Sequence, residues 1–377
     1  MGQRKYYPEL DRLRGIAILM VLLYHSIIIY PVNLTEQEFW GKLHTFLWTV
    51  EMPLFFLVSG VCFSYEGRYL SYIRKKSVRL LAPHFFFGLL DLLPRVIPNS
   101  LVNESYSAGQ AWIEFLLYSS NEWFLWTLFL IFLVAPLLQK GLSQGLWGKI
   151  ITITAVCGAY LIQNIVTPIF SLKNAANFMI YFVIGMLLQG YMREDALFAK
   201  KERKSEKVKQ GVGKIWYKVM LLIAGILLFW SLSWQGWHGH AYAWAEVFGE
   251  KVMPLRDLLV VTICPGLTGV KMLWLAVTLL TVLVWSLNLY WFALGVGKSR
   301  AGAFFALCGR YSLPMYLLDG YALVVSRTLL VIVLGVRQPW VIVAGNFLLD
   351  IGIVLGISKY VLKRFRITCL LSGISIK

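Results

Sequence analysis

Charge is scarce in this chain. Asp, Glu, Lys and Arg make up 15% of its 377 residues, and hydrophobic types 58%. A soluble globule carries about a quarter charged residues, so a water-soluble domain is excluded. Segments of alternating polarity, the mark of a membrane β-barrel, are missing too, which leaves a helical bundle as the way through a bilayer. The five cysteines (Cys62, Cys157, Cys264, Cys308 and Cys369) form no C-x-x-C pair. Such an odd, dispersed set excludes a disulfide framework or zinc site and reads as small apolar packing. There is no H-E-x-x-H, no Cys/His cluster, no G-x-S-x-G elbow and no Walker loop. The spacing of His238 and His240 is not enough for a site, so no metal is expected. A cleavable signal peptide is not expected either: the first apolar run is too long and more runs follow it.

What is present is a series of long apolar runs. Ten read as spans, at roughly 13–31, 45–65, 78–97, 121–138, 149–166, 174–191, 218–235, 272–295, 311–335 and 339–362. A re-entrant piece is a further option at roughly 257–268, ending in Pro265 and Gly266. The expected class is all-α: a polytopic membrane helical bundle of about ten transmembrane helices. No internal repeat or soluble domain is visible, so residues 1–377 read as a single membrane-embedded domain.

The net charge of +17 would suggest nucleic acid in a soluble protein; here topology explains it, and no nucleic-acid partner is expected. With the N-terminus in the cytoplasm, about 27 of the 36 basic residues fall on cytoplasmic segments and about six outside. That asymmetry predicts an N-in, C-in orientation. The basic cytoplasmic loop 192–217 reads as a topology signal against anionic headgroups. The external segment 236–271 holds Trp237, His238, His240 and Trp244; it reads as interfacial, or as part of a lid.

The stretch Arg14-Gly-Ile-Ala-Ile-Leu-Met-Val-Leu-Leu-Tyr-His25 organises the rest. Eleven helical residues turn by about 1100° and rise about 16 Å. Arg14 and His25 therefore share one stripe, with Asp11 within about 40° of it. Such a stripe should face protein or a wet cavity, not lipid. Counting from the expected span ends places Glu51 at the depth of His25, on the next antiparallel helix. That pairing would either orient the imidazole for general-base work or merely tie two helices together. Asp91 and Arg95, one turn apart, are expected to neutralise each other. Glu122, before Trp123, reads either as a helix N-terminal acid or as part of a substrate site. Asp319, Asp350 and Arg327 could each line a polar cavity or pair structurally. Arg68, Arg74, Lys75, Lys76 and Arg79 precede the third span; they are topology signal or a dock for an anionic nucleotide carrier. Ser59-Gly60 marks a close-packing point in the second span.

These residues carry a resemblance. Tyr7-Pro-Glu-Leu-Asp-Arg-Leu-Arg-Gly-Ile-Ala17, the R-x10-H pair of Arg14 and His25, and Pro53-Leu-Phe-Phe-Leu-Val-Ser-Gly60 resemble the acyltransferase-3 family of integral membrane O-acyltransferases. So do the basic run ending Arg79-Leu-Leu-Ala-Pro83, Trp123-Phe-Leu125, and Gly309-Arg-Tyr-Ser-Leu-Pro-Met-Tyr-Leu-Leu318. The family's Arg-x-x-Arg motif stands here as Lys76-Ser-Val-Arg79, and Asp319 stands where many members have His. The resemblance implies ten spans in a bacterial plasma (inner) membrane. It also implies transfer of an acyl group, acetyl being the first choice, from cytoplasmic acyl-CoA to a hydroxyl at the outer face. The acceptor would be a surface glycan or lipid-linked sugar, with glycan-assembly proteins as candidate partners. No appended hydrolase-like domain is expected.

On that reading His25, Arg14 and Glu51 are catalytic. Arg14, Arg74, Lys75, Lys76 and Arg79 hold acetyl-CoA. Asp11, Glu122, Trp123 and Asp319 meet substrate. His25 either deprotonates the acceptor hydroxyl or briefly carries the acyl group. Two other classes remain open: a transporter or flippase using the same polar cavity without chemistry, and an interaction subunit of a glycan-assembly complex.

Overall fold

The computed structural model describes residues 7–96, 108–118, 122–163, 166–202, 211–233, 269–297 and 299–364, with 369 and 372. Every element among the described residues is helical. In chain order these are α1 (Pro8–Ser26), α2 (Glu38–Val61), α3 (Tyr69–Val96), α4 (Ala108–Ile113), α5 (Trp123–Ser143) and α6 (Gly145–Ile162). There follow α7 (Leu172–Glu202), α8 (Gly211–Ser233), α9 (Gly269–Gly295), α10 (Arg300–Arg310), α11 (Ser312–Arg327) and α12 (Pro339–Gly356). Single π-turns follow α4, α11 and α12. Seven of the described helices are long and apolar enough to cross a membrane. Three further expected spans coincide with α1, α3 and α8, which are helical as well. Two elements went unforeseen: α4 in the connection from α3 to α5, and α10 between the spans at α9 and α11. The expected lid and re-entrant piece lie outside the described residues. The basic loop does so in part: α7 runs on to Glu202 and α8 begins at Gly211.

The described chain divides into two compact units. One comprises residues up to Ala17, Thr35–Phe63 and Tyr181–Leu307. Here α2 packs on α8 and α9. Phe46 meets Trp285 edge to face, with ring centroids 4.8 Å apart. The Trp285 indole N–H donates to the Gly225 carbonyl at 3.1 Å, and the Asn288 amide to that of Leu221 at 3.1 Å. The Gln189 amide donates to the carbonyls of Val61 (2.7 Å) and Phe63 (2.8 Å), closing the C-terminal end of α2. Gly60 and Gly185 let the two backbones approach: a Cβ on Gly60 would strike the Phe182 carbonyl, and one on Gly185 the Leu57 carbonyl. Small residues at crossing points are how membrane helices gain dispersion contact. The close-packing point at Ser59-Gly60 thus has its partner.

The other unit comprises Ile18–Leu34, Ser64–Ile180 and Cys308–Lys377. Its tightest pair is α11 on α12, beside a stack of α3, α5 and α6. Pro136 sits inside α5 and donates no N–H, so the Phe132 carbonyl, four residues earlier, loses its helical partner. The Tyr72 hydroxyl on α3 supplies that bond at 3.1 Å, and the Tyr69 hydroxyl reaches the Leu133 carbonyl at 2.9 Å. In hydrocarbon such a replacement bond matters because water cannot serve instead.

The glycine contact gives a direct test. Gly60→Leu should overpack the crossing and cost about 2 kcal/mol or more, read as a lower melting temperature in detergent. Gly158→Leu, where an added Cβ meets nothing within 4 Å, should melt as the parent does.

Candidate active site

Pro8 opens α1, with Glu9 and Asp11 in its first turn and His25 in its last. Acids near the N-terminus and a basic group near the C-terminus both suit the helix dipole. The helix is continuous over the expected stripe, so Arg14 and His25 share a face about 16 Å apart along it. Its bounds differ from the expected span: α1 starts and stops about five residues earlier. His25 is therefore in the final turn, whereas Glu51 lies well inside α2, which begins at Glu38.

The carboxylate the structure does bring to His25 is Asp319 of α11. Its Oδ2 meets the imidazole Nδ1. The Asp319 side chain is 2% exposed and that of His25 38%. An Nδ1–H donated to a buried carboxylate leaves Nε2 as the basic lone pair, on a ring still part-open. A base so oriented can take a proton from a hydroxyl. Glu51 is buried too, at 1% exposure, in the first unit.

The two arginines of the first turns have different duties. Arg12 is 9% exposed. Its Nε donates to the Ala293 carbonyl at 2.6 Å and its Nη1 to that of Gly297 at 3.1 Å. It therefore closes the C-terminal end of α9, where helix carbonyls lack partners. Arg14 meets Asp11 at 3.3 Å across one turn and keeps 32% of its side chain exposed. Asp11, expected at the substrate and on the same stripe, is thus a partner of Arg14.

Among the other expected residues, Arg74, Lys75 and Arg79 are exposed on α3. Lys76 is turned onto rings, with its Nζ 3.6 Å from the centroid of Phe132 and 5.6 Å from that of Tyr72. Glu122 is the N-cap residue of α5 and 6% exposed, with no side-chain capping bond. Trp123 stacks on Phe178 at 5.4 Å. Arg327 donates to the Tyr30 carbonyl at 3.4 Å and lies over its ring, a structural pairing. The Asp91–Arg95 pair involves a side chain outside the described residues. Sequence reading passed over His84. It is 2% exposed, donates from Nδ1 to the Glu122 carbonyl at 3.3 Å, and lies among Phe85, Phe115 and Trp126. A histidine inside an apolar run was the available signal. Among the described residues no group of three or more His, Cys, Asp or Glu is arranged to hold a metal ion.

A helical, multi-pass membrane protein with an imidazole–carboxylate pair in its bundle is the class these features define. The profile of the acyltransferase domain matches residues 7–357, and the chain belongs to that acyltransferase-3 family. It is accordingly a membrane acyltransferase. No curated protein and no solved structure matches the chain.

The contrast between the arginines is measurable. Arg12→Met keeps the stem but removes both carbonyl bonds and should cost about 1–3 kcal/mol of stability in detergent. Arg14→Met removes one part-exposed pair and should cost under about 1 kcal/mol.

Proposed function

We propose that this acyltransferase moves an acetyl group from cytoplasmic acetyl-CoA to a hydroxyl of a surface glycan or lipid-linked sugar at the outer face of a bacterial plasma membrane. The observation that carries the reading is the His25–Asp319 pair: a part-open imidazole held through Nδ1 by a buried carboxylate. The acceptor hydroxyl gives its proton to Nε2 as its oxygen attacks the thioester carbonyl. The C–S bond breaks, and the CoA thiolate takes the proton back from the imidazolium. Asp319, first expected at the substrate, becomes the residue that orients the base. Glu51 remains a candidate as a second buried acid, with Nδ1 given over to Asp319.

Arg14 faces the carrier. Its part-exposed guanidinium suits a CoA phosphate, and the exposed cations Arg74, Lys75 and Arg79 add phosphate-binding charge. Lys76 joins them only by leaving its rings. Asp11 presets the Arg14 fork. Glu122 and Trp123 are assigned to the acceptor, an aromatic beside an acid being suited to a sugar. The N-in, C-in orientation rests on the distribution of basic residues, which assigns Arg14 and the α3 cations each to the cytoplasmic side.

Purified protein incubated with acetyl-CoA labelled on the acetyl carbon should transfer label to a hydroxyl acceptor; a transporter would leave the thioester intact. His25→Ala should lower the rate roughly 100- to 10,000-fold, the usual worth of a general base. Arg14→Ala should act chiefly by raising KM for acetyl-CoA. Both proteins should be recovered from the membrane in parental amounts. Undiminished transfer by His25→Ala overturns the assignment. Mass spectrometry of surface glycans from cells with and without the gene identifies the acceptor.

A further inference from the structure

Behind Asp319 lies a second buried acid that the reaction above does not use. Asp350 of α12 is wholly buried, as is Asn346 one turn before it. Spaced by four, the two share a face. That face is the one α12 buries, together with Ile342, Val343 and Val354. Asp350 and Asp319 are buried acids on facing helices, electrostatically coupled across α11–α12, the tightest helix pair in the unit. Asp319 Oδ2 is engaged with His25, while its Oδ1 is buried with no bond of normal geometry. Neither oxygen of Asp350 completes such a bond, nor does either amide atom of Asn346. Buried polar groups normally have partners, and each exception calls for an explanation.

Two carboxyl groups in contact inside a protein do not both ionise; one keeps a proton and donates it to the other. Asp319 already accepts from the imidazole. Resting on the general-base reading of His25, we infer that Asp350 is a positioning residue: in its acid form it donates to Asp319 Oδ1 and fixes the carboxylate that orients His25. On this inference side chains from three helices act together: His25 on α1, Asp319 on α11 and Asp350 on α12. Asp350 touches no substrate and exchanges no proton with it.

The role needs a donor, not a charge, and that sets the experiment. Asp350→Asn keeps size and an N–H donor; Asp350→Leu keeps approximate size and has none. Both are compared with the parent for label transfer from acetyl-CoA, with monodispersity in detergent checking the fold. Asp350→Leu should lower kcat about 10- to 100-fold, the worth of a hydrogen bond to a charged group, with KM for acetyl-CoA unchanged. Asp350→Asn should restore kcat to within about threefold of the parent. In an Asp319→Asn background, Asp350→Leu should add little, because the residues act as one unit. A merely structural acid gives the opposite order, since leucine would relieve a buried polar group. The inference is overturned if Leu matches the parent, or if well-folded Asn is as slow as Leu. Failure of the parent to transfer label would instead count against the proposed function.

Discussion

Hydrocarbon offers no partner to a polar group, so a membrane bundle has to settle every charge and every freed carbonyl internally. The contact between the His25 imidazole and the Asp319 carboxylate is the fullest expression of that constraint here. A carboxylate at 2% exposure would be prohibitively costly alone, and an imidazole would have no fixed orientation. Each resolves the other. The same logic recurs wherever a helix has a defect or an end. Tyr72 takes up the Phe132 carbonyl that Pro136 releases. Gln189 takes up the carbonyls at the end of α2, and Arg12 those at the end of α9. These contacts hold the helices rigidly, and rigid helices are where catalytic groups can be placed reproducibly.

The division of labour along α1 follows from helical pitch. Arg12 and Arg14 are two residues apart and so point about 200° apart. One is drawn into the packing against α9; the other keeps its exposure and its acid partner, Asp11. A single helix therefore supplies a structural cation in Arg12, a part-exposed cation in Arg14 and, about 16 Å further on, the imidazole of His25.

Some of this was legible residue by residue. The stripe of Asp11, Arg14 and His25 needed only the pitch of a helix, and the close approach at Gly60 only the small pair Ser59-Gly60 in an apolar span. The partner of His25 was not legible. The choice of Glu51 rested on sequential neighbours and on expected helix ends, and α1 and α2 both begin several residues earlier than hydropathy implied. Proline and acidic residues such as Pro8, Glu9 and Glu38 can open a helix outside the apolar core, so hydropathy marks the lipid-filling part and not the helix. Lys76 shows a related blind spot: a cation counted toward a phosphate dock lies instead on the Phe132 ring, because long lysine stems pack on aromatic surface.

Apolar run length, the scarcity and placement of charge, and helical periodicity by themselves determined the class, the long apolar helices and the shared face of Asp11, Arg14 and His25. Those are local properties, set by the backbone's own geometry and its need to bond internally. Only the tertiary structure decided which carboxylate meets His25, 294 residues away along the chain, and that Asp350 stands behind it. Packing of α11 on α12 is a contest among many apolar faces of similar composition, and its outcome depends on shape. No spacing along the chain records it.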